Sequence, residues 1–115
     1  MQTPLQISFH QMPPSPDLDA EVRRWVDELE AIFDRIVSCH VVIEAPHGHH
    51  QGGLYAVRVD LRVPGEHIVA GRSPAEHAAH ADAQVAVRDS FRAAKRQLED
   101  HIRRARGEVK SHAAH

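Results

Sequence analysis

The sequence predicts an α+β domain: a four-stranded sheet with two helices packed on one face, in the order β-α-β-β-β-α. Three observations predict it. Apolar and polar residues alternate at 4–10, 39–45 and 54–63, the period of half-buried strands. Two longer segments, near 15–36 and 82–106, repeat apolar residues at helical spacing. Each helix carries a single apolar stripe, so each can cover a sheet face on one side only. A chain of 115 residues suggests one domain, set at residues 1–107, with a flexible tail at 108–115.

The elements follow in order. In "PLQISFH" Leu5, Ile7 and Phe9 oppose Gln6, Ser8 and His10, and the prolines of "QMPPSP" end the strand. The first helix opens with Ser15 or Asp17 as cap, Pro16 in the first turn and acidic residues at its positive end. Its stripe is Leu18, Val22, Trp25, Leu29, Ile32, Phe33 and Ile36. "CHVVIEA" is a strand with Cys39, Val41 and Ile43 on one face. The glycine- and histidine-rich run after it is a loop. "LYAVRVDLRV" is the clearest strand, and "PGE" turns it into a short fourth one, "HIVAG". "RSPAEHAAHAD" reads as a loop with one helical turn. The second helix runs from about 82 to 106 on Val87, Phe91, Ala94, Leu98, Ile102 and Ala105, with Gly107 as its stop. The first strand–helix–strand unit makes its two strands parallel, and the remaining pairs are antiparallel hairpins. The uncovered sheet face then shows His40, Val42, Arg58, Asp60 and Arg62 to solvent.

Composition narrows the function. One cysteine excludes a disulfide framework and a cysteine-rich zinc site, and favours a reducing compartment. The first residues do not resemble a signal peptide, and no run is long enough to span a bilayer, so a cytoplasmic protein is expected. Net charge is −2 with neutral histidines, but the charge is segregated. Residues 17–36 carry seven acidic and three basic side chains; residues 82–110 carry five acidic and eight basic.

Three stretches carry a family resemblance: "FDRIVSCHVVIEAP", "YAVRVDLRVPGEHIVAG" and "AVRDSFRAAKRQLEDHIRR". In order and spacing they resemble the ribosome hibernation-promoting factors, also called ribosomal subunit interface or sigma-modulation proteins, over roughly residues 4–107. The resemblance implies a fold like a double-stranded-RNA-binding domain. It implies binding of the small ribosomal subunit in the channel for messenger and transfer RNA, contact with 16S rRNA, and inhibition of translation under stress. The chain resembles the short form, without the C-terminal dimerisation domain of long members; a weak homodimer is left open. Two features depart from familiar short members. The exposed face of the first helix carries Asp27, Glu28, Glu30 and Asp34 where those members carry lysines, which weakens RNA contact along it. The histidine loop and "RSPAEHAAHAD" are also longer than usual.

The residues themselves point to the second helix. At 100° per residue, Arg88, Arg92, Lys95, Arg96, Arg103 and Arg106 share one sector beside the apolar stripe. Guanidinium groups at that pitch suit successive phosphate oxygens and position a protein on folded RNA without reading its sequence. The alternative is a solvated flank in which Glu99 bridges Lys95, Arg96 and Arg103. Arg58 and Arg62 either extend the basic surface or pair across strands with Asp60. His47, His49 and His50, with His77 and His80, are the residues a metal would use, but they lie on a glycine-bounded loop and a segment of doubtful structure, and match no zinc signature. The plainer reading is a polar loop tip that gains charge in acid. Trp25 and Tyr55 read as core rather than as stacking platforms, and Cys39 as a buried thiol. No catalytic constellation is present, so neither an enzyme, nor a cofactor, nor a small-molecule substrate is expected. Two other readings stay open: a histidine-rich metal-binding module, and a regulator that binds a protein through the open sheet face.

Overall fold

In the computed structural model the chain is an α+β fold of the expected order. The structure describes residues 1–46, 53–71 and 79–113, and the side chains of 1–46, 53–71 and 81–107. The elements are β1 (Gln6–His10), α1 (Pro16–Ile32), β2 (Ser38–Glu44), β3 (Tyr55–Val63), β4 (Glu66–Ala70), β5 (Ala79–His80) and α2 (Ala83–Ala113). The mixed sheet has the order β1-β2-β3-β4. β1 runs parallel to β2, and β2, β3 and β4 are antiparallel neighbours. The two-residue β5 adds to the opening of β3, pairing Tyr55 with His80 and Ala56 with Ala79.

Local chemistry explains the boundaries. Ser15 caps α1, its Oγ accepting the Leu18 N–H at 3.3 Å, and Pro16 follows in the first turn. Between β3 and β4, Val63 pairs with Glu66, so Pro64 and Gly65 alone make the turn. Pro64 fixes its own φ, and Gly65 takes the left-handed value of +82° that a side chain would strain.

Strand parity divides the sheet. Cys39, Val41, Ile43, Val57, Val59, Leu61, Ile68 and Ala70 are buried on one face, beneath Leu18, Val22, Val26 and Leu29 of α1 and Val87, Phe91, Ala94 and Leu98 of α2. Each fully buried side chain of this size contributes roughly 1.5–3 kcal/mol. The Trp25 and Phe91 rings stack at 5.9 Å between centroids, joining the two helices. Both therefore belong to the packing, and Tyr55 likewise lies half-buried against the core.

Four features differ from expectation. α1 ends at Ile32 rather than near residue 36, because Phe33 takes an extended backbone at φ −147°, and Ile36 is buried in the segment before β2. The "EHAAH" stretch ends in a strand bridge, because Ala79 and His80 find free backbone partners beside β3. Gly107 does not stop the second helix, which continues to Ala113; an exposed glycine inside a helix costs only about 1 kcal/mol. Ala105 is exposed rather than part of the stripe.

Candidate nucleic-acid interface

The roll of α2 about its own axis decides what it offers to solvent, and side-chain bonds on one flank hold that roll. The buried Ser90 hydroxyl donates to the Val57 carbonyl at 2.7 Å. One helical turn and more further on, the Gln97 amide donates to the Val69 carbonyl at 3.3 Å. Near the far end Arg104 donates twice to the Glu66 carboxylate, both at 3.1 Å, and His101 Nδ1 lies 2.6 Å from the same carboxylate. These residues fall on the side of α2 that faces β3 and β4. Phe91 meets α1 on another side. The remaining arc, about 100° wide, holds the cations.

That arc is Arg88, Arg92, Lys95, Arg96, Arg103 and Arg106, all exposed except Lys95, which is partly covered. Their intramolecular partners are few. Arg88 Nε lies 3.4 Å from Asp89, Arg103 pairs with Asp100, and Lys95 reaches across to Glu28 of α1 at 3.0 Å. Arg92, Arg96 and Arg106 have no carboxylate partner among the described residues. Glu99 lies within the arc but bridges none of its neighbours, contrary to the flank arrangement considered above. Lys95 uses Glu28 and Arg103 uses Asp100 instead.

The arginines of β3 belong to another surface. Arg58 and Arg62 are exposed on the sheet face that the helices leave open, with the whole sheet between them and the α2 row. They therefore do not extend that row. Asp60 stands between them, and its main partner is His67 of β4 at 2.5 Å; Arg58 is 3.9 Å away. Arg62 has no carboxylate partner among the described residues. On the same face His40 Nε2 lies 2.9 Å from the Ser8 hydroxyl.

The histidines with metal-ligand chemistry fall mostly outside view. His47, His49, His50 and His77 lie outside the described residues, and of His80 only the backbone in β5 is described. Among the described residues no group of three or more His, Cys, Asp or Glu is placed to hold a metal ion, and no helix is long and apolar enough to cross a membrane. Cys39 is buried, and burial, with Asp60 and Glu30 adding negative charge, pushes its thiol up to about 12. A thiol so held stays protonated and has none of the character of a nucleophile.

Periodicity carries no trace of the partners. Glu28 lies 67 positions from Lys95, and Glu66 lies 38 from Arg104, so neither pairing has a local signal. It also passed over Arg35, whose guanidinium lies 5.5 Å from the Phe33 ring in the turn after α1.

The comparisons with known proteins agree with this fold. The family model described as Sigma 54 modulation protein / S30EA ribosomal protein matches residues 5–106. A ribosomal subunit interface protein from Coxiella burnetii has a similar structure, with a TM-score of 0.69 at 18% identity, over 84% of this chain and 94% of that one. The N-terminal domain of Protein Y from Thermus thermophilus is similar at a TM-score of 0.67 and 14% identity, over 88% of this chain and 99% of that one. No curated protein sequence matches significantly. The two structures share the fold; the family match covers most of the sequence, and the chain belongs to the ribosome-associated Sigma 54 modulation protein / S30EA ribosomal protein family.

Proposed function

We propose that this protein binds the small ribosomal subunit in the channel for messenger and transfer RNA, contacts 16S rRNA there, and holds the ribosome inactive in the cytoplasm under stress. The observation that carries the reading is the α2 row: six cations on one arc of a helix whose roll is fixed, three of them without an internal carboxylate. Arg92, Arg96 and Arg106 are ready to meet phosphate oxygens at no cost in broken ion pairs. The reading needs no catalysis, cofactor or small-molecule substrate: occupancy of the channel is the activity. Family membership supports it, and so does the ribosomal interface role in the name of the Coxiella burnetii protein.

The test is co-sedimentation with purified small subunits whose tRNA sites are empty or filled. Pelleting with empty subunits, weaker as salt rises and blocked by bound tRNA, is the expected result. Pelleting that ignores tRNA would place the protein elsewhere on the subunit, and no pelleting at low salt would refute the proposal.

A further inference from the structure

The cation row ends at a groove. Past the last turn of α1 the chain bends through Asp34 and Arg35, while α2 runs alongside. Between them is an open groove of about 490 Å³ whose walls include Ile32, Phe33, Asp34, Arg35, Ile102 and Arg106. Ile32, Phe33 and Ile102 are half-buried there, the latter two packed against the core, and the His101 ring meets the Phe33 ring edge-on at 6.3 Å. The lips of the groove are charged and exposed. Arg106 is both the last residue of the row and part of the groove wall. On the opposite lip stands Arg35, its guanidinium 5.5 Å from the Phe33 ring centroid. Neither arginine has a carboxylate partner among the described residues. Acceptors stand beside them: the Asp34 carboxylate, and the terminal carbonyls of α1, whose last turn has no basic residue.

We infer that this groove takes one unpaired nucleotide of RNA, preferring a base with exocyclic amino and imino donors such as guanine. The inference rests on the RNA-binding reading of the α2 row and adds a second kind of contact to it. The Arg35 guanidinium, held over the Phe33 ring, offers its plane to the face of a base, and proteins read single-stranded RNA by stacking splayed bases on aromatic rings or guanidinium planes. Arg106, the end of the row, suits the flanking phosphate. A phosphate chain following the row from Arg88 toward Arg106 is led to the groove mouth. Asp34 repels a phosphate but accepts hydrogen bonds from amino groups, so it favours the base edge over the backbone. A row of cations alone holds RNA without regard to sequence; the groove supplies one position at which base identity counts.

The test uses the full chain and a short single-stranded RNA carrying one 6-thioguanosine, with a second RNA carrying 4-thiouridine at the same place. Each is cross-linked by near-ultraviolet light and the modified peptides are identified. The same variants are also pelleted with small subunits. Cross-linking of thioguanosine within residues 31–35 or 101–106, stronger than that of thiouridine, is expected. In the Phe33→Leu and Arg35→Gln variants yield should fall about tenfold, in line with the worth of base stacking. Thermal unfolding checks that both variants fold. Cross-links confined to Arg88–Arg96 or to the open sheet face would overturn the groove and leave the α2 row standing. Pelleting with subunits but no oligonucleotide cross-link at the groove would do the same. Failure of both assays would remove the row and the groove together.

Discussion

The two helices are built to one plan and finished with opposite charge. Each is amphipathic, each presses one stripe onto the same sheet face, and they meet through Trp25 and Phe91. Toward solvent α1 shows Asp27 and Glu28, with Glu30 drawn to the N-terminal ammonium at 3.2 Å, while α2 shows its arginine row. The packing half of each helix is interchangeable chemistry; the outer half is where the protein assigns work. A polyanion approaching this layer meets attraction along α2 and repulsion along α1, so under the proposed function the pair would set which way RNA lies as well as how tightly it is held. The Glu28–Lys95 pair at 3.0 Å marks the border between the two fields.

The comparison can be broken at its shared half first. Phe91→Ala removes a fully buried ring and with it the stack on Trp25, and should cost about 3–5 kcal/mol of stability. Denaturant unfolding measures it; a loss under 1 kcal/mol would mean the helix–helix contact is not central to the core. The outer half of α2 comes next. Replacing Arg92, Arg96 and Arg103 together by Ala should weaken small-subunit binding on the order of a hundredfold, with an unchanged melting curve. Full binding by the folded triple variant would show that α2 is not the contact.

Neutralising α1 sharpens the contrast from the other side. Glu28→Gln frees Lys95 and removes a nearby negative charge, so subunit affinity should rise a few-fold and its salt dependence steepen by about 0.7 in log–log slope. The fold should hardly notice, because an exposed pair contributes at most about 1 kcal/mol. Lower affinity in this variant would mean that the pair positions Lys95 for RNA rather than holding it back. The smallest effect is expected at Gly107, where an added Cβ meets nothing within 4 Å. Gly107→Ala should stabilise the end of α2 by about 0.5–1 kcal/mol, visible as a small gain in helicity.

Much of this fold could be read from the residues, for physical reasons that also explain the misses. Residues 55–63 alternate without interruption, and parity alone foretold which side of β3 is buried. Ser15, Pro16 and the acidic first turn announce the start of α1 with local chemistry. β5 could not be read because two residues hold no period; only the free backbone of β3 makes them a strand. Gly107 reads as a helix end where the helix continues, since the cost of one glycine is smaller than the helical propensity around it. For the site, the arc of cations follows directly from 3.6 residues per turn. Which cations of α2 are spent on distant partners, Lys95 on Glu28 and Arg104 on Glu66, depends on residues brought near only by the tertiary fold. Parity had already placed Arg58 and Arg62 on the open face; the helices lie on the other side, and that separates them from the row.

The proposed function requires that α2 hold the protein on the small subunit through phosphate contacts. Its most direct test is the slope of log K against log salt for the native chain and for the Arg92, Arg96 and Arg103 triple Ala variant, with the small subunit as partner. A steep negative slope is expected for the native chain and one shallower by about 2–3 for the variant, at roughly 0.7–0.9 per lost phosphate contact. Equal slopes would contradict it, because the row would then be facing water while some other surface carried the binding.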